Sequence, residues 1–205
     1  MTLFAAADAI GLATFSISGL LMGMRKGLDL LGILITAFLT ALGGGVIRDV
    51  IVGRTPLVFE QSATLLYVIA GILLALLLRL HAKERPERYA IFILMDSIGL
   101  VAFALTGALV GIESGFNLFG VMLLSFVTAV GGGMLRDMML GDIPIVLTSD
   151  FYGTIALLVA FLIYLCERMG CLGSWTLFLV GVSALILRLV AYRRNWHLPK
   201  LGEKP

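Results

Sequence analysis

Gly43-Gly44-Gly45 and, 88 positions later, Gly131-Gly132-Gly133 each precede an Arg-Asp pair, Arg48-Asp49 and Arg136-Asp137, inside otherwise apolar runs. Each glycine in a helix interior costs about 1 kcal/mol relative to alanine, so a triplet predicts a locally loosened, kinked helix. Carbonyls freed there are tolerable in a membrane only against protein or a water-filled cavity. Carbonyl oxygens replace part of the hydration shell of an alkali cation, so K⁺ or Na⁺ could pass at such kinks. No other cofactor and no structural metal is expected. The same glycines equally suit two unbroken helices packed closely.

The charges behind the glycines need partners. A charged residue at a helix centre costs about 2.5–3.5 kcal/mol on insertion scales. Neighbours at i and i+1 point about 100° apart, so Arg48 and Asp49 are not expected to pair with each other. Helix rise puts Asp8 level with Arg48 and Asp96 level with Arg136. The spacing therefore predicts ion pairs Asp8–Arg48 and Asp96–Arg136, with snorkelling of both arginines as the alternative. Asp49 and Asp137 would then remain free to attract cations at two mouths. Ser16, Ser18, Thr40, Ser125 and Thr128 could line a wet path, or could satisfy the backbone of their own helices. Leucine at Gly44 and Gly132 is expected to abolish permeation and leave assembly intact.

The elements that must position these residues follow from composition. The chain has 205 residues, 60% hydrophobic and 14% charged, with a mean hydropathy of +1.07. A globular chain carries about 25% charged residues. This excludes a soluble enzyme, a nucleic-acid binder and a disulfide-stapled secreted module. Apolar runs give seven helices, at about 3–23, 30–52, 63–80, 90–111, 118–140, 152–167 and 174–192. The fold class is an all-α membrane protein in one transmembrane domain over residues 1–205, in contact with membrane lipids. Arg25, Lys26, Arg79, Lys83, Arg85 and Arg88, with Arg193, Arg194, Lys200 and Lys204 of the tail 193–205, fall on one side. The positive-inside rule then puts the N-terminus outside and the C-terminus in the cytoplasm. The N-terminus has no basic n-region and is expected to begin a retained span. Cys166 and Cys171 have no further Cys or His to complete a metal site, and His81 and His197 lie outside the spans. No nucleophile–base set lies within the spans, so no enzyme is expected.

The chain also repeats itself. Asp8 to Pro56 aligns without a gap on Asp96 to Pro144, with 21 identities in 49 positions, including Gly53-x-x-Pro56 and Gly141-x-x-Pro144. Hydrophobic composition alone would not match Asp, Arg, Pro and glycine runs in register. Repeat 1 covers about 3–80 and repeat 2 about 90–167, and the seventh helix stands apart. Three helices per copy is an odd number, so the second copy enters the membrane from the opposite side. Inverted repeats with interrupted helices are common in secondary transporters. Gly11, Gly19, Gly23 and Gly27, with Gly99, Gly107, Gly111 and Gly115, form a small-residue stripe for helix packing.

The doubled Gly-Gly-Gly-x-x-Arg-Asp with its Gly-x-x-Pro, on two three-helix repeats plus a seventh helix, resembles the prokaryotic branch of the trimeric intracellular cation (TRIC) channel family. Bacterial members are also described as glycine transporters. The resemblance covers about residues 4–192. It implies a homotrimer with one pore per subunit, bounded by the kinked second and fifth helices, and conduction of monovalent cations, chiefly K⁺, across the bacterial inner membrane. The Lys-Glu-Val lipid-binding motif of animal members is absent. A carrier for a small zwitterion such as glycine fits the repeat architecture equally well, with an aspartate for its amine and an arginine or half-helix N-terminus for its carboxylate.

Overall fold

A computed structural model describes residues 3–82, 85–148, 150–194 and 196. Met1 and Thr2 before the expected first span, Lys83, and His197, Lys200 and Lys204 of the tail lie outside the described residues. The described chain is helical: α1 (Leu3–Arg25), α2 (Leu30–Ile51), α3 (Leu57–Glu60), α4 (Ser62–Leu77), α5 (Arg85–Glu113), α6 (Leu118–Met139), α7 (Ile145–Thr148), α8 (Asp150–Arg168) and α9 (Ser174–Arg193). Six of these are long and apolar enough to cross a membrane, and the chain is a multi-pass membrane protein. The expected third span, 63–80, is shorter. α4 has 16 residues, about 24 Å at 1.5 Å per residue, because Arg79 turns left-handed at φ 51° and a 3₁₀ turn follows. α5 begins five residues before the expected 90, since a proline in the first turn does not oppose a helix.

Local signals recur at the repeat spacing. The Asp29 side chain accepts from Gly32 N at 2.7 Å to cap α2, and Asn117 accepts from Gly120 N at 2.9 Å to cap α6. Gly53 and Gly141 end those helices with φ of +73° and +70°. Arg54 N then bonds to Asp49 O and Gly53 N to Val50 O, and the same two bonds form at Asp142 and Gly141. This is the Schellman closure, which needs a left-handed residue after the helix. An L side chain in that conformation costs about 1–2 kcal/mol. Gly53→Ala and Gly141→Ala should each destabilise by that amount, read as a lower thermal midpoint by circular dichroism in detergent.

Four helices, α1, α2, α5 and α6, form the centre, with α4 against α1, α8 against α5 and α6, and α9 against α8 and α5. The packing is reciprocal. Phe15 fills the space beside Gly99 while Phe103 fills that beside Gly11, and the two rings meet edge-on with centroids 5.2 Å apart. Such exchange, residue i on j and the counterpart of j on the counterpart of i, is the mark of a local two-fold relation.

The glycine triplets lie on this relation, and they do not interrupt their helices. α2 and α6 stay helical through Gly43–Gly45 and Gly131–Gly133, so no carbonyls are freed by a break there. The expected kinks are replaced by a close crossing. A Cβ on Gly44 would overlap the Thr128 carbonyl oxygen, and one on Gly132 the Thr40 carbonyl oxygen. A Cβ on Gly43 would lie 3.2 Å from Gly132 Cα, and one on Gly131 3.4 Å from Gly44 Cα. Residues 40 and 44 facing 132 and 128 make the helices antiparallel at the crossing. The carbonyls remain in their helices because burying unpaired peptide groups costs more than glycine's entropy.

Candidate functional site: two buried arginine–carboxylate clusters

Arg48 and Arg136 each lie four residues beyond the crossing glycine of an antiparallel helix, about 6 Å to either side by helix rise. Neither snorkels. Arg48 is 1% exposed and Arg136 0%, and each is held by two carboxylates through Nε and Nη1.

In one cluster Arg48 Nη1 donates to Asp8 Oδ1 at 3.1 Å, and in the other Arg136 Nη1 donates to Asp96 Oδ1 at 2.8 Å. The two cross-helix pairs expected from depth are thus formed in this structure. A second set was not anticipated. Arg48 Nε donates to Asp49 Oδ1 at 2.8 Å, and Arg136 Nε to Asp137 Oδ1 at 2.8 Å. The long guanidinium folds back along its own helix and overcomes the 100° offset between neighbours, because a buried cation and a buried carboxylate are both costly to leave unpaired.

Asp49 and Asp137 are therefore not the free acids expected at two mouths. They are 1% and 2% exposed. Asp49 Oδ2 also accepts from Leu57 N at 3.0 Å, and Asp137 Oδ2 from Ile145 N at 2.9 Å. These peptide groups open α3 and α7, two four-residue helices that sequence patterning did not reveal. The Gly-x-x-Pro motif explains itself here. The glycine closes the long helix, and proline, which lacks an N–H, precedes the first amide that turns back onto the aspartate.

The clusters also join the two halves. Arg48 Nη1 reaches Thr106 Oγ1 at 3.3 Å, and Arg136 Nη1 reaches Ser18 Oγ at 2.8 Å. Ser18 in turn donates to Asp96 Oδ1 at 2.9 Å. Thr106 was missed, although it is the repeat counterpart of Ser18 and the alignment could have found it. Each guanidinium lies over a matching ring, Arg48 at 5.3 Å from the Phe4 centroid and Arg136 at 5.0 Å from that of Phe92. Such a contact offsets part of the desolvation of a buried cation.

The remaining hydroxyls expected along a wet path are buried. Ser16 donates to Ala13 O at 2.8 Å, Thr40 to Thr36 O at 2.6 Å and Thr128 to Leu124 O at 2.6 Å, all within their own helices. Ser125 bridges helices, donating to Ala104 O at 2.8 Å. Their polar valence is taken by backbone, so in this conformation they tie helices rather than line water.

The two clusters differ in what completes them. Arg54 donates to Asp49 Oδ1 through Nη2 at 2.6 Å. Its counterpart, Asp142, pairs instead with Lys26. On the other side α9 supplies a cation: Arg188, 2% exposed, lies over the Tyr152 ring at 5.0 Å from its centroid. Neither Tyr152 nor Arg188 carried a sequence signal beyond an arginine inside an apolar run.

A family model described as "Glycine transporter" matches residues 5–80 and again 93–168. The chain is 32% identical to the UPF0126 membrane protein YvgT of Bacillus subtilis, over 94% of this chain and 93% of that one. It is 30% identical to the UPF0126 inner membrane protein YadS of Escherichia coli K12, over 93% and 91%. Among solved structures it resembles a prokaryotic TRIC channel crystallised in 0.5 M KCl, at 30% identity and a TM-score of 0.86 over 95% and 98% of the chains. The TRIC trimeric intracellular cation channel orthologue from Rhodobacter sphaeroides gives 29% and 0.86 over 96% and 100%. Another structure, described as the basis for conductance through TRIC cation channels, gives 31% and 0.82 over the whole of both chains. With both repeats matched by one family model and relatives alike from end to end, this chain belongs to the prokaryotic TRIC family, the UPF0126 proteins whose model carries the description glycine transporter.

Proposed function

We propose that the protein is a monovalent-cation channel, chiefly for K⁺, that assembles as a homotrimer with one passage per subunit beside the α2–α6 crossing. The observation that carries this reading is the pair of arginine–carboxylate clusters flanking that crossing, on a fold shared with proteins described as cation channels. Each cluster balances its charge. Arg48 and Arg54 face Asp8 and Asp49, and Arg136 faces Asp96 and Asp137 with Arg188 nearby. A stretch of passage whose fixed charges cancel binds a cation weakly enough to release it.

The buried conformation is then a closed one. Opening parts a guanidinium from its carboxylate and exposes the oxygens of Asp8 or Asp96 to the ion. Gly43, Gly44 and Gly45, with Gly131, Gly132 and Gly133, act by letting α2 and α6 approach, so that small shifts at the crossing move both clusters. The membrane is the bacterial inner membrane, as the description of the Escherichia coli relative supports. The N-terminus is outside, as the distribution of Arg25, Lys26, Arg79 and Arg88 supports.

The family description favours a second reading, a carrier of glycine. An aspartate and an arginine in one buried cluster could meet the amine and the carboxylate of that zwitterion. Planar-bilayer recording of the purified protein in K⁺ and Na⁺ gradients separates the two. Unitary currents reversing near the K⁺ equilibrium potential are expected. Saturable glycine uptake into liposomes without unitary currents would replace the channel by the carrier.

A further inference from the structure

The reciprocal contacts make each cluster a control for the other, and besides Arg54 and Asp142 a further pair of counterparts breaks the match. Beside Arg48 lies a cavity of about 20 Å³, room for about one water. Asp8, Gly45, Arg48, Asp49 and Thr64 are among its lining residues. A Cβ added at Gly45 would meet only the Arg48 guanidinium, at 3.8 Å. At the second cluster the counterpart of Thr64 is Tyr152, which is 2% exposed. A Cβ at Gly133 would find the Tyr152 hydroxyl at 3.4 Å and Arg136 Nη2 at 3.6 Å. The phenol therefore fills the space that stays open beside Gly45.

Exposure follows the same contrast. The Asp8 side chain is 12% exposed and that of Asp96 4%. Gly45 is half-buried and Gly133 is buried. Tyr152 is also held from behind, since the Arg188 guanidinium of α9 covers its ring. Among the described residues α9 has no counterpart in the first half, and neither does this clamp.

We infer that Tyr152 is the stopper of the Arg136 end of the passage, clamped shut by Arg188, and that the Arg48 end, with Thr64, has none. The inference rests on the channel reading and assigns its regulation to one side. Opening then requires the phenol to leave Gly133, so α9 controls conduction through Arg188 without lining the route.

Bilayer recording of the full-length protein tests this with three variants. Tyr152→Thr copies the open end onto the closed one. A closed form that leaves roughly 0.1–10% of molecules open gives room for a rise of about tenfold in open probability. Tyr152→Phe removes only the hydroxyl that lies beside Gly133 and should give a current between those of the parent and Tyr152→Thr. Thr64→Tyr puts a second stopper beside Gly45 and should lower the current, which decides the matter even where Tyr152→Thr fails to fold. Equal currents from the parent and a folded Tyr152→Thr, or from the parent and Thr64→Tyr, would overturn the inference and leave the channel reading standing. Absence of unitary current from the parent and all three variants would instead remove the channel reading beneath it.

Discussion

Alanine at Gly44 or Gly132 is expected to destabilise the protein by about 1–3 kcal/mol, the range for forcing extra atoms into a packed core. The obstacle in each case is a backbone carbonyl, that of Thr128 or of Thr40, which cannot rotate away as a side chain would. Either helix must move, and the crossing carries both arginine clusters. Leucine at these sites should abolish assembly as well as function, contrary to what a flexible kink would allow. Gly45→Ala is the internal control. Its new methyl meets nothing closer than 3.8 Å, and replacing a helical glycine gains up to about 1 kcal/mol. Thermal unfolding in detergent should thus place Gly44→Ala and Gly132→Ala below the parent and Gly45→Ala at or above it. Equal midpoints for Gly44→Ala and Gly45→Ala would contradict the crossing geometry.

Arg136→Met should have the largest effect of any single charge removal. Breaking a buried ion pair by deleting one partner costs about 3–5 kcal/mol, because the other charge is left uncompensated. Arg136 serves two buried carboxylates, Asp96 and Asp137. Arg48→Met should cost less, since Arg54 still holds Asp49 at 2.6 Å and Asp8 retains some access to water. Denaturant unfolding in micelles would show the order parent, Arg48→Met, Arg136→Met. Adding Asp96→Asn to Arg136→Met should recover part of the loss by removing one stranded charge. A double variant no more stable than Arg136→Met alone would argue against Asp96 as its main partner.

Much of this architecture was legible because the repeat preserved residues that hydrophobicity would not. Asp8, Arg48, Asp96 and Arg136 could be paired by depth alone, because helix rise converts sequence distance into height. Direction around the helix was less secure. Asp49 points toward Arg48 only because the arginine side chain bends, which no spacing rule encodes. The glycine triplets show the same limit. Their cost in an isolated helix is a local property, but the Thr40 and Thr128 carbonyls opposite them come from the other repeat. The short α3 and α7 were invisible to periodicity, being one turn each, although Gly53, Pro56, Gly141 and Pro144 marked their places. Tyr152 and Arg188 were the hardest to see, since their role exists only by contrast with Thr64.

The bonds from Arg48 to Thr106 and from Arg136 to Ser18 run between the halves, never within one. A gene encoding a single half would therefore make a product that could complete its arginine cluster only on a second copy facing the opposite way. Expressed alone, either half would leave its arginine without the hydroxyl that the other half supplies.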